Sequence, residues 1–169
     1  GQRESVKAAT GPQDTSTIVV SGSAVTVDPG IVMSAVNAVE ITKNSITYQW
    51  APVANATSYY IYKYDIPKES YEYYGATSGS SIRVEGLPAG EECYLAVYAV
   101  NDDTACRSDF VVTESVFTKP EKVETFTISD NTTTSVVLRW LDIPSATGYI
   151  IYRAGTGGNF KKIGTSVTG

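Results

Sequence analysis

"ATSYYIYKYD" fills residues 56–65, and "ATGYIIYRAG" fills residues 146–155. The phrase returns after 90 residues, and the match runs further than the phrase. Laying "SITYQWAPVANATSYYIYKYD" (45–65) on "SVVLRWLDIPSATGYIIYRAG" (135–155) puts Ser45 on Ser135, Trp50 on Trp140 and Val53 on Ile143. Tyr59 then falls on Tyr149, Ile61 on Ile151 and Tyr62 on Tyr152, all without a gap. Ahead of each copy stands a matching segment, "VNAVEIT" (36–42) and "VETFTIS" (123–129). Self-similarity at a fixed period marks a repeated structural unit.

Within each unit apolar residues alternate with period two, which is the signature of a half-buried strand. Ile46, Tyr48 and Trp50 share one face, and Val136, Leu138 and Trp140 share its counterpart. Ile82 and Val84 form a further strand that "GLPAG" ends. Leu95, Val97 and Ala99 then alternate with Tyr94, Ala96 and Tyr98. Short strands parted by Pro, Gly, Asn and Asp predict an all-β sandwich.

Composition agrees. Of the 169 residues 42% are hydrophobic and 18% charged, an ordinary globular balance. Net charge is −5 with no basic cluster, so nothing supports a nucleic-acid partner. No stretch approaches the roughly 20 apolar residues of a membrane-spanning helix. Histidine is absent, which removes the commonest general base and metal ligand. The two cysteines, Cys93 and Cys106, fall at opposite ends of a hairpin that turns near Asp102–Asp103–Thr104. At about 3.3 Å per residue they stand about 25 Å apart, far beyond the reach of a disulfide. Two free thiols are expected.

These features together resemble the fibronectin type III domain over roughly residues 35–169. The matching features are Trp50 and Trp140 on the second strand, "ATSYYIY" and "ATGYIIY" on the third, the "GLPAGEE" turn and the "VYA" of the sixth. A period near 90 is also the family's. The resemblance implies an immunoglobulin-like β-sandwich, with one complete repeat flanked by partial ones. "ATGYIIYR" is similar to the bacterial members found in secreted polysaccharide-degrading enzymes and cell-surface proteins, which implies an extracellular or cell-surface setting. It further implies a non-catalytic spacer and interaction module without a cofactor, whose first partners are neighbouring domains of the same polypeptide.

Residues 35–119 are expected to form a whole domain and 120–169 the first four strands of a second. Residues 1–34 would be a tail or linker, or the last hairpin of a preceding repeat. "SVKAATG" (5–11) lies on "AVYAVND" (96–102), and "IVVSGSAVT" (18–26) on "FVVTESVFT" (110–118). A flexible Thr/Ser-rich tail is the alternative. The half-built second unit should leave Leu138, Trp140 and Ile151 uncovered, so the chain should associate or leave that unit poorly ordered. The resembling family usually carries a tyrosine where this chain has Cys93. Either packing alone holds that corner, with Tyr94 facing outward, or a bulge turns Tyr94 inward.

Ten of the twelve tyrosines lie between residues 48 and 98, which confines any aromatic platform to the first unit. With Tyr59 and Ile61 in the core, Tyr60, Tyr62 and Tyr64 face outward beside Tyr94 and Tyr98. Tyr71, Tyr73 or Tyr74 joins them from the next strand. Such a face suits a protein or polysaccharide ligand; it equally suits cross-strand pairing or packing against a neighbouring repeat. Tyr60, Tyr62, Tyr64, Tyr73, Tyr94 and Tyr98 are the candidate binding residues. No catalytic set and no metal site are expected: Glu91-Glu92 and Asp102-Asp103 fall in turns, and "GTGGN" (155–159) is a hairpin rather than a phosphate cradle. "NAT" (55–57) and "NTT" (131–133) match the glycosylation acceptor pattern.

Overall fold

A computed structural model describes residues 11–20 and 25–167. Among them every regular element is a strand. The first five are β1 (Thr26–Val27), β2 (Asn37–Ile41), β3 (Ser45–Gln49), β4 (Ser58–Asp65) and β5 (Ser70–Thr77). Next come β6 (Ser81–Glu85), β7 (Glu92–Cys93), β8 (Leu95–Asn101), β9 (Cys106–Arg107), β10 (Val111–Val112) and β11 (Val116–Phe117). The second unit supplies β12 (Phe126–Ser129), β13 (Val137–Trp140), β14 (Gly148–Ala154) and β15 (Phe160–Val167).

Two sheets face one another. One has the order β2-β3-β6; the other runs β9-β8-β4-β5, with β10 also on β8 and β1 on the outer edge of β9. The alternation read from sequence places the core between them. Ile46 and Tyr48 of β3, with Trp50 just past its end, pack with Tyr59 and Ile61 of β4 and Leu95 and Val97 of β8, all buried. Burying each such side chain contributes about 1.5–3 kcal/mol. Val36, Ile31 and Met33 close the same core from the segment ahead of β2.

The final edge of the larger sheet is broken between β9 and β10, and buried hydroxyls take over ladder bonds at the break, from Ser108, and just past β10, from Thr113. Ser108 Oγ accepts from the Ala99 amide at 3.0 Å, and Thr113 Oγ1 accepts from the Leu95 amide at 3.0 Å. The side chains thus satisfy donors on β8 that a continuous strand would otherwise meet.

Cys93 is fully buried in the core, while Tyr94 lies half-buried on the outer face. No bulge turns Tyr94 inward, and a hydroxyl still anchors the corner: buried Thr118 Oγ1 donates to the Pro88 carbonyl at 2.6 Å and accepts from the Glu91 amide at 2.9 Å. The Tyr94 hydroxyl donates to Glu92 Oε1 at 2.6 Å. Both cysteines are free.

The copies separated by 90 residues share contacts as well as letters. Trp50 packs on Tyr59 at 5.2 Å between centroids, and Trp140 on Tyr149 at 5.2 Å. Tyr59 accepts from the Val53 amide at 2.8 Å, and Tyr149 from the Ile143 amide at 2.7 Å. Thr42 Oγ1 accepts from the Ser45 amide, as Thr132 Oγ1 does from the Ser135 amide. The difference lies in burial. Among the described residues β12 pairs only β13, and β14 only β15, as two separate hairpins. Leu138, Trp140 and Ile151 are therefore half-exposed, whereas Trp50 is 4% exposed.

The segment ahead of the first sandwich takes a place that the sequence did not announce. Residues 11–20 form no strand but lie on the outer face of the larger sheet, and β1 runs parallel to β9 in the register Thr26↔Cys106. Most of "SVKAATG" lies outside the described residues. Of the described part of the expected terminal hairpin, residues 11–20 lie as a strap across the following unit and β1 borders β9.

Candidate functional site

Tyrosines of β4, β5 and β8, with Tyr94 just ahead of β8, gather on the side of the sheet away from the core. Pairing fixes the array: Tyr60 stands opposite Tyr98, Tyr62 opposite Tyr73, and Tyr64 opposite Tyr71. A bulge between Ile61 and Tyr62 leaves Tyr74 as the extra residue of β5 and settles which β5 tyrosines join the face. Tyr71 and Tyr73 do so. The Tyr74 hydroxyl turns to the other sheet, donating to the Arg83 carbonyl and accepting from the Glu85 amide, each at 3.2 Å. It thereby occupies backbone groups on the open edge of β6.

Ring contacts run along the whole face. Tyr60 stacks on Tyr98 at 5.4 Å and 6°. Tyr62 meets Tyr73 edge-on at 5.6 Å, and Tyr64 meets Tyr71 at 5.1 Å and Tyr94 at 6.2 Å. Phe110 and Arg107, which sequence reading missed, complete it. Phe110 stands edge-on to Tyr98 at 5.0 Å, and the Arg107 guanidinium lies over both rings at 5.4 and 5.1 Å. Contacts of this kind are worth about 0.5–1.5 kcal/mol for an aromatic pair.

The expectation of an open platform is corrected at this point. The tyrosines do face away from the sandwich core, but Tyr62, Tyr64 and Tyr98 are only 2%, 6% and 1% exposed. Tyr60 and Tyr94 are half-buried. The chain's own N-terminal segment provides the cover: Ile18, Val20 and Val25 pack on the rings. The Tyr62 hydroxyl donates to the Val19 carbonyl at 3.3 Å, and the Tyr71 hydroxyl donates to the Pro12 carbonyl. The one available clue was the alternation of Ile18 and Val20 in "TIVVSG", which does not say what it packs against.

Burial sets the chemistry of the face. It pushes the Tyr98 phenol well above its ordinary pKa, aided by Tyr62 and Tyr60 and opposed by Arg107. Tyr71 rises for the same reason, with Tyr64 and Tyr94 adding to it. These phenols are neutral hydrogen-bond donors set in an apolar surface. Hydrogen bonds from Ser115, then from Tyr94, hold the Glu92 carboxyl below its usual range.

Of the candidates Tyr73 alone is well exposed, at 53%. The cleft beside it, among Lys63, Tyr64, Asp65, Glu72 and Tyr74, has a volume of about 140 Å³. Small-molecule pockets usually hold at least about 300 Å³. Among the described residues no group of three His, Cys, Asp or Glu side chains stands where it could hold a metal ion.

No family model matches the chain, and no curated protein matches it. Solved structures that do match include the fibronectin type III domain of the human collagen alpha-1(XX) chain, at 20% identity and a TM-score of 0.48. That match covers 62% of this chain and 97% of the other. The domain of human fibronectin type III domain containing protein 3 matches at 15% identity and a TM-score of 0.46, over 56% and 91%. FN3tt matches at 23% identity and a TM-score of 0.43, over 50% and 86%. The assignment of fold rests on the strand order itself: a three-strand sheet β2-β3-β6 faces one in which β5, β4, β8 and the broken last strand follow in turn. That is the fibronectin type III sandwich, and it is the fold this chain carries.

Proposed function

We propose that the chain is a non-catalytic fibronectin type III module of a larger secreted or cell-surface protein, acting as spacer and interaction segment. Residues 35–119 serve as the complete unit, 120–169 begin the next, and 1–34 lead in from a preceding repeat or linker. One observation carries this reading: the tyrosine face, the densest chemistry in the sequence, is taken up by residues 11–20 of the same chain. What remains to the module is mechanical, namely to hold its two ends at a set distance. The connection supports that role, since the Lys119 amide donates to the Thr42 carbonyl at 2.9 Å and Lys43 pairs with Glu121 at 3.0 Å.

A carbohydrate- or protein-binding role on the same face is the second reading, and the exposure of Tyr73 beside half-buried Tyr60 favours it. A screen of the whole chain against polysaccharides and surface glycans separates the two. The spacer reading expects no saturable binding in wild type or in Tyr73→Ala. Saturable binding that Tyr73→Ala abolishes at unchanged melting temperature replaces it with the second reading.

A further inference from the structure

The two units meet at a pair of turns. In the first unit Gly90 sits in the β6–β7 loop at φ 70°, and in the second Ser145 sits between β13 and β14 at φ 68°. They lie so near one another that a Cβ on Gly90 would overlap the serine Cβ and stand 2.5 Å from its Oγ. Position 90 thus needs glycine twice, for its left-handed backbone and for the missing side chain. Each turn is held from within its own unit. Thr118 Oγ1 donates to the Pro88 carbonyl at 2.6 Å and accepts from the Glu91 amide at 2.9 Å, on either side of Gly90. Around Ser145, the Ala146 amide donates to the Ile143 carbonyl at 3.0 Å, and the Tyr149 hydroxyl accepts from the Ile143 amide at 2.7 Å. The first unit builds the same turn at Asn55, with φ 63°, so its shape belongs to the unit and is no product of the contact.

We propose that Gly90 and Ser145 are the joint that sets the direction of the second unit. This joint deepens the spacer reading and rests on it, since a spacer needs a defined angle as well as a length. A linker alone leaves neighbouring domains free to move, the ordinary case where their interface is small. Here Lys43 and Glu121 hold the linker at 3.0 Å, but both are half-exposed, and such a pair is weak by itself. The turn contact adds a second point, at which neither turn can yield without losing its own hydrogen bonds. Two separated contacts limit a swing that one would permit. Room exists for a Cβ on only one side of this contact. With Ala at position 90 and Gly at 145, the new Cβ would lie 3.5 Å from the Cα of residue 145, an ordinary packing distance. Gly86 supplies a control: it lies in the same loop at φ 72°, and a Cβ there meets nothing within 4 Å.

Backbone residual dipolar couplings of the full chain test the joint, fitted separately for residues 37–119 and for β14–β15. Wild type should give one shared alignment. Gly90→Ala should rotate the second alignment away from the first or lower its magnitude, and adding Ser145→Gly should bring the shared alignment back. Gly86→Ala carries the same backbone strain without the clash and should behave as wild type. Ser145→Gly alone leaves the first unit intact and should lower the magnitude of the second alignment. A shared alignment that survives both Gly90→Ala and Ser145→Gly overturns the joint and leaves the spacer reading standing. Separate alignments in Gly86→Ala or in the double variant also overturn it, because turn strain rather than contact would be at work. Separate alignments already in wild type remove the set distance and overturn joint and spacer reading together.

Discussion

Tyr98 and Tyr73 both touch Tyr60 and Tyr62 on one sheet face, yet one is 1% exposed and the other 53%. Truncating them should separate packing from display. Tyr98→Ala removes a buried ring and should lower stability by about 3–5 kcal/mol, whereas Tyr73→Ala should stay within about 0.5 kcal/mol. Denaturant titration of the two variants measures the contrast. The same burial gives the protein an alkaline limit. The phenols of Tyr48, Tyr71 and Tyr98 have folded pKa values raised by desolvation above the unfolded value of about 10. Between those values the folded state holds more protons than the unfolded chain. Stability is therefore fully present below about pH 10 and falls as pH rises beyond it, by up to about 1.4 kcal/mol per pH unit for each phenol. Urea midpoints from pH 8 upward check this, and Tyr98→Phe should flatten the fall. Orientation of these side chains was legible because a strand sends alternate residues to opposite faces. Exposure was not legible. Residues 12 and 19 cover Tyr71 and Tyr62 from 59 and 43 positions away, and periodicity carries no information about so distant a partner.

At the level of single elements, the last strand of the larger sheet shows side chains replacing a ladder. Thr113→Val keeps the shape but leaves the buried Leu95 amide without its acceptor. A buried donor left unpaired costs about 1–3 kcal/mol, so this variant should melt clearly lower while keeping its β-sheet circular dichroism. The strap can be tested in the same way. Ile18→Asp with Val20→Asp should detach residues 11–20 and deprotect the Tyr62 and Tyr98 region to hydrogen exchange, while β2, β3 and β6 keep their protection. Legibility again divides along a physical line. Strands β3, β4 and β8 were readable from alternation because core packing dictates those residues, while the Cys93–Tyr94 corner was readable only as two alternatives. The bulge that sorts Tyr73 from Tyr74 was not, since one extra residue in a strand of tyrosines leaves the composition unchanged. The seat of residues 11–20 was not readable either, because the alternation of Ile18 and Val20 names no partner strand.

For the whole molecule the two units should behave differently. Residues 37–119 bury their apolar stripe between two sheets. The hairpins of the second unit leave Phe126, Ile150, Tyr152 and Phe160 more than half exposed. Faster amide exchange across 126–167 than across the sandwich is the expected outcome, and light scattering will show whether that surface draws molecules together. The central claim is that the tyrosine face is covered by its own chain, and hydroxyl-radical footprinting of the intact protein tests it most directly. The account predicts rapid labelling at Tyr73 with protection at Tyr62, Tyr64 and Tyr98, and loss of protection at Tyr62 and Tyr98 in the Ile18→Asp, Val20→Asp variant. Labelling of Tyr62 and Tyr98 in wild type at the rate of Tyr73 would contradict it.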